Sequence, residues 1–345
     1  MSPITATTTD EEIHLTDPTG SAGAAPPRLA PRFAAALRDR DDAALEEVAG
    51  AHPVDTRDEL VALLTIHDMW MAPLWTTDGI EEYQGHPAVA ALKWRLERRF
   101  LARLESRQAS AGPLPGADDA VAAMRRVAAS DLVPPVYRWL AEEADRDELV
   151  AFLAIEGGPD AGFDDLVALV QVGIHDGPKV ALARNYWDEL GRGTLSEVHT
   201  VLHDRLVEAT DMPRIPRDHL PVSALERIAI GGLLATNRRL QPEMLGALGL
   251  LEMQAGPRCR AVVQALDRLD APAGALPFYE EHAQADPRHG KEWLDEVVAP
   301  LAAEHPGWGA RMVTGARWRQ QVNAAFFASA RSFVDGIVHP SRNRN

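Results

Sequence analysis

Phe278-Tyr-Glu-Glu-His282-Ala-Gln-Ala-Asp286-Pro-Arg-His289-Gly-Lys-Glu-Trp293 carries two imidazoles and a carboxylate at i, i+4 and i+7. At about 100° per residue these three side chains fall within roughly 60° of one another on a helix. They would point the same way, as a donor set suited to iron and, less specifically, to manganese or zinc. The plainer reading is a polar helix face with two solvated histidines. Pro287 complicates both readings, because an interior proline removes a backbone hydrogen bond. Either the helix kinks there, or Asp286 caps a new helix with Pro287 at its first position.

Working outward, the flanking sequence is helical in pattern almost throughout. Residues 1–30 are rich in Thr, Ser, Gly, Ala and Pro and read as a disordered leader. From Arg32 helical spacing begins. An N-terminal helical layer spans 31–105, with an apolar helix at 57–75 and another from Pro87 to about Leu104. His67, in the apolar helix, reads as a satisfied core histidine. Residues 105–118 break the pattern with Gly and Pro and form a loop.

The main body follows at 119–335. Helices are expected at about 119–129, 134–145, 146–157 and up to Leu190, where Gly191-Arg-Gly193 stops the chain. The next runs from Ser196, a candidate cap, to Thr210. Others are expected at 222–236, 241–254, ending at Gly256-Pro257, and 257–270. The histidine helix and a helix at 309–333 complete the body. No stretch alternates with period two and no internal repeat recurs, so the fold class is all-α.

Composition narrows the function. A hydrophobic content of 46% supports a real core. A net charge of −16 argues against nucleic acid as a partner. No apolar run is long enough to span a membrane, and the N-terminus lacks the basic-then-apolar pattern of a signal peptide. Cys259 is the single cysteine, which excludes a disulfide framework or thiolate cluster. A cytoplasmic location is expected.

Further acids qualify as metal ligands. Asp188-Glu189 closes a helix, where the dipole disfavours carboxylates and a compensating cation is implied. An exposed acidic end is the alternative. Glu252 interrupts the apolar run Leu248-Gly-Leu-Leu-Glu252, and a carboxylate in such a place is seldom unpaired. Glu156 ends another apolar run with weaker support.

These motifs together, Asn185-Tyr-Trp-Asp-Glu189-Leu-Gly-x-Gly193 with His199, then Glu252, then Phe278-Tyr-x-x-His282-x-x-x-Asp286-x-x-His289, resemble the heme-oxygenase-like diiron oxidases, often labelled iron-containing redox enzymes. The resemblance covers roughly residues 130–300. It implies a heme-oxygenase-like helical bundle with additional N-terminal helices, and two Fe(II)/Fe(III) ions with O2 as co-substrate. The implied metal ligands are Glu189, His199, Glu252, His282, Asp286 and His289, with Glu189 and Glu252 also catalytic and Glu156 a further carboxylate. Many members space the first Glu and His seven apart. Here position 196 is Ser, and both His199 and His203 stand as candidates.

The activity so implied is N-oxygenation, oxidative C–C cleavage or decarboxylation, or desaturation of a small amino-acid- or fatty-acid-like substrate in a biosynthetic pathway. An external electron donor and a homodimer are compatible with it. Tyr186, Trp187, Phe278 and Tyr279 flank the ligands as pocket walls or core packing. Arg184 or Arg288 could hold a substrate carboxylate, surface placement being the alternative. A non-catalytic all-α binding or scaffold protein with a weak or vestigial metal site is the competing class. A hydrolytic use of Cys259 is disfavoured, because the cysteine lies far in sequence from every histidine motif.

Overall fold

A computed structural model describes residues 27–111, 119–157 and 162–339, and among them every regular element is helical. The N-terminal layer consists of α1 (Leu29–Arg38), α2 (Asp42–Gly50), α3 (Thr56–Met71) and α4 (Pro87–Ser110). The body consists of α5 (Ala120–Ser130), α6 (Pro135–Glu142), α7 (Arg146–Glu156), α8 (Phe163–Val170), α9 (Asp176–Glu189), α10 (His199–Thr210), α11 (Val222–Ala235), α12 (Gln241–Arg268), α13 (Pro277–Glu292), α14 (Ala299–Glu304) and α15 (Trp308–Val338). A wide helical turn, Trp293–Val298, joins α13 to α14. Buried residues of both layers form one continuous core.

The expected leader, residues 1–30, lies outside the described residues as far as 26. Its end needs correction, because Leu29 and Ala30 open α1 and are buried. Their backbone N–H groups donate to the Asp58 carboxylate of α3 at 2.8 Å each. An acid from another helix thus satisfies the helix start, a partner no local pattern reveals. Helix α4 also runs six residues beyond Leu104, to Ser110. The Gly and Pro residues that mark the break begin only at Gly112, and residues 112–118 lie outside the described residues.

Buried acids tie the N-terminal helices to one another and to the body. Glu59 of α3 accepts from Arg99 and Arg103 of α4, and Glu226 of α11 accepts both Nη atoms of Arg107 at 2.8 Å. His67 is buried and bonded to Glu97 at 3.1 Å, the core role its pattern suggests.

Helix α12 is the axis of the body, packing on α13, α15, α6, α11 and α5. It is one helix of 28 residues with Pro257 inside it, not two helices broken at Gly256-Pro257. Packing on several sides holds it continuous where local propensity predicts a break. Helices α12 and α13 lie unusually close. A Cβ on Gly290 would sit 2.9 Å from the Met253 Cα and 3.1 Å from the Glu252 carbonyl oxygen. Glycine here lets the two ligand-bearing backbones approach each other.

Candidate metal centre

Helix α13 resolves the question of Pro287. The helix runs without a break from Pro277 to Glu292, so His282, Asp286 and His289 share one helix. Pro287 cannot donate to the carbonyl of Ala283, four residues back. Arg260 of α12 takes that place, its Nη1 donating to the Ala283 oxygen at 3.1 Å.

Helix α9 ends at Glu189, and the chain then reverses. Gly191 has φ +59°, and a Cβ there would lie 2.4 Å from the Glu197 backbone. Arg192 and Gly193 also have positive φ. This tight reversal begins α10 at His199, not at Ser196, whose side chain caps nothing. It also returns His199 to Glu189, with Nδ1 and Oε2 2.6 Å apart. The ten-residue spacing is thereby explained. His203, one turn further along α10, packs on Phe278 with ring centroids 5.2 Å apart and belongs to neither donor triad.

Six side chains from four helices converge. Glu189, His199 and His282 have donor atoms within 4.8 Å of one another, and so do Glu189, Glu252 and His289. The two triads share Glu189. The His199 and His282 rings lie 4.4 Å apart. The His289 Nδ1 sits 3.4 Å from Glu252 and 3.7 Å from Asp286. Asp286 adds an oxygen that has no hydrogen-bond partner.

A surrounding ring of groups orients these donors. The His282 Nδ1 donates to the Phe278 carbonyl at 2.6 Å, which leaves Nε2 as the free donor atom. The His289 Nε2 donates to Asp188 at 2.9 Å and leaves Nδ1 facing the acids. Asn185 Nδ2 donates to Glu252 at 2.7 Å. Asp188 also accepts from Arg288 at 2.7 Å. This is the compensating cation that an acid at a helix C-terminus requires.

The electrostatics are those of a site built for cations. Glu189, Glu252 and Asp286 are 4%, 3% and 2% exposed. Burial, and then the neighbouring acids, push the Glu189 pKa up to about 8. Burial also raises Asp286. Burial lowers His199 and His203, which favours the neutral ring that a ligand such as His199 must offer. His289 is opposed by burial, yet Asp286, Glu252 and Asp188 outweigh it and raise it to about 11. Both His199 nitrogens, the His289 Nδ1 and the Asp286 Oδ2 are buried without a hydrogen-bond partner. The 2.6 Å approach of His199 to Glu189 is therefore a meeting of donor atoms, not an aligned hydrogen bond. Three acids, three imidazoles and several unpartnered atoms are a donor set that suits divalent iron.

The cluster opens onto a cavity of about 170 Å³. Phe163, Leu251, Ala255, Phe278 and Tyr279 form its apolar walls, with Glu156, Asp164 and His203 beside them. Glu156 accepts from Tyr137 at 3.1 Å and stands outside both triads. Tyr186 and Trp187 do not line the cavity, and Trp187 is exposed. Arg184 and Arg288 are at the surface, paired with Glu296 and Asp188. Cys259 is not remote from the histidines in space, since it lines this cavity. Burial raises its pKa well above the usual thiol value, so it remains a protonated wall residue. Sequence reasoning missed Arg227 and Arg258, two buried guanidiniums near the cavity. Both stand in helical segments where a buried and an exposed arginine look alike.

No curated protein matches the chain by sequence. The family model described as iron-containing redox enzyme matches residues 151–324, from α7 into α15 and across every converging donor. The chain belongs to this heme-oxygenase-like, all-α family of iron-containing redox enzymes.

Proposed function

We propose that the protein is an O2-activating non-heme diiron oxidase or oxygenase acting on a small amino-acid- or fatty-acid-like substrate. One observation carries this reading: two donor triads, buried except for the half-buried His282, share Glu189 and face a mostly apolar cavity. Glu189, His199 and His282 would hold one ion, and Glu189, Glu252 and His289 the other, with Asp286 beside the second. When bound, the ion pair supplies the electrons that reduce O2.

The chain's own residues do the rest. Asp188 and the Phe278 carbonyl fix the tautomers of His289 and His282 and so present a lone pair to each ion. Asn185 holds one Glu252 oxygen and turns the other toward the cluster. Phe163, Leu251, Phe278 and Tyr279 exclude water and contact the substrate's apolar part. Among the described residues no helix is long and apolar enough to cross a membrane. A cytoplasmic, biosynthetic role with an external electron donor is part of the proposal.

The test is anaerobic loading with Fe(II) followed by rapid mixing with O2. Two irons per chain and an O2-dependent transient absorbance are expected. His282→Ala should lose the transient and part of the iron. A chain that takes up no iron would instead be a non-catalytic binding or scaffold protein.

A further inference from the structure

Three of the eight tryptophans stand exposed on the N-terminal layer, outside the residues that the family model matches. Trp75, Trp94 and Trp70 are 86%, 67% and 39% exposed, and Leu74 is 66% exposed. The Lys93 ammonium lies over the Trp70 ring, 5.5 Å from its centre, and Trp94 follows Lys93 on α4. At about 250 Å² for a whole tryptophan, the three indoles alone expose roughly 480 Å². A stable protein interface takes about 800 Å² from each partner, so these side chains supply more than half of one.

Helix α4 turns most of its charge away from solvent. Lys93 pairs with Glu97, and Arg95 donates to the Ala51 carbonyl. Arg99 and Arg103 pair with Glu59, and Arg107 with Glu226. The outward face repeats at helical spacing as Ala91, Trp94, Arg98, Ala102, Glu105 and Ala109, all exposed. It keeps two charges, Arg98 and Glu105, of opposite sign. Arg98 lies over the Trp94 ring at 5.7 Å, and among the described residues neither Arg98 nor Glu105 forms an ion pair. Seven residues separate them, roughly 10 Å along the axis, so they do not reach each other within one helix.

We propose that this face docks on the same face of a second copy of the chain, α4 against α4 and antiparallel, about a two-fold axis at Leu101-Ala102. In such a contact residue i meets j and j meets i. Setting Arg98 on the partner's Glu105 therefore sets Glu105 on the partner's Arg98, and both unpaired charges are matched at once. The same register places Trp94 against the partner's Ala109, small enough to receive an indole. It puts Ala102 at the axis, where the two helices approach most closely. Trp70, beside Lys93 in the first half of α4, and the Leu74-Trp75 turn that follows it then cover the second half of the partner's α4. Opposite, unpaired charges on one apolar face make it complementary to itself, which a lipid surface does not require. The cluster's donors all come from α9, α10, α12 and α13, so the contact needs no metal.

The test is analytical ultracentrifugation of the metal-free, full-length protein across the micromolar range. A species of twice 37.6 kDa is expected. Arg98→Glu sets like charges against each other at two symmetric places and should weaken the dimer at least about tenfold. Arg98→Glu combined with Glu105→Arg reverses both pairs and should restore it. Trp94→Ser should weaken it without any change of charge. All three positions are exposed, and circular dichroism on the same samples checks that each variant is folded. Should Trp94→Ser misfold, the charge reversal and its rescue carry the test alone. A parent that sediments as a monomer, a dimer indifferent to Arg98→Glu, or a double variant that stays dissociated overturns the proposal. So does a monomer that floats with phosphatidylcholine vesicles, which assigns the face to lipid.

Discussion

Replacing Asp188 by Asn tests whether the outer ring of hydrogen bonds tunes the cluster and which ion it tunes. The Asp188 Oδ2 accepts from the His289 Nε2 at 2.9 Å and from the Arg288 Nη2 at 2.7 Å. The 3.2 Å separation between those two nitrogens is then one of two donors sharing an acceptor. Asparagine is nearly isosteric and keeps an oxygen for His289, but loses the charge that makes the imidazole basic. Such partners of a ligating histidine are worth about 10–100-fold in metal affinity, or about 1.4–2.7 kcal/mol. The loss should be confined to one ion, because His289 belongs to the triad with Glu189 and Glu252 and not to that with His199 and His282. Anaerobic Co(II) titration against a chromophoric chelator should therefore show two phases, with only one weakened in Asp188→Asn. Arg288 keeps Glu292 at 3.5 Å, so the variant should melt near the parent temperature. Two unchanged phases would refute the assigned role of Asp188, and equal weakening of both would refute the division into two triads.

Gly290→Ala should destabilise the fold by about 1–3 kcal/mol in chemical denaturation, because the new methyl meets backbone atoms of α12 that cannot rotate away. Parent-like stability would mean that the two helices separate freely. His67 gives a pH prediction. Burial depresses its pKa, so the unfolded chain binds a proton before the folded one does. That contribution is complete above pH 6.5 and is lost as pH falls below it; His67→Gln should flatten the stability profile on the acid side of pH 6.5. Glu97 is also held low, with hydrogen bonds from His67 and Lys93 outweighing burial, and its loss on acidification has the same sign.

What could be read in advance was whatever one helix carries by itself. His282, Asp286 and His289 are legible because a single periodicity aligns them, and Glu252 because it breaks an apolar run. The meeting of Glu189 with His199 depends on three successive left-handed residues, and only the glycines at 191 and 193 hint at them. Prolines misled for a related reason. Pro257 reads as a stop, yet the stop is overridden by what packs around α12. The carbonyl orphaned by Pro287 is satisfied by Arg260, a residue on another helix. Leu29 reads as leader in the sequence because the acid that satisfies its N–H, Asp58, lies 29 residues away. Arg227 and Arg258 were invisible because charge and helix propensity say nothing of depth.

Depth is also what makes the cluster a site and not a flaw. Three acids buried this closely repel one another, and a fold can relieve that repulsion in two ways. Without metal it can hold protons: Glu189, with a pKa near 8, is mostly neutral at physiological pH, and His289, near 11, is a cation between Glu252 and Asp286. With metal, those protons must leave, since a ligand offers its lone pair only when deprotonated. On the proposed reading the same six side chains would serve two charge-balanced states, one held by protons and one by metal. Helix α12, locked against α13 at Gly290, keeps the donor positions fixed in both. An arrangement that needed only stability would have placed leucines there at lower cost. Paired, oriented acids on either side of an unusually close helix contact are accounted for by the second state and by nothing in the first.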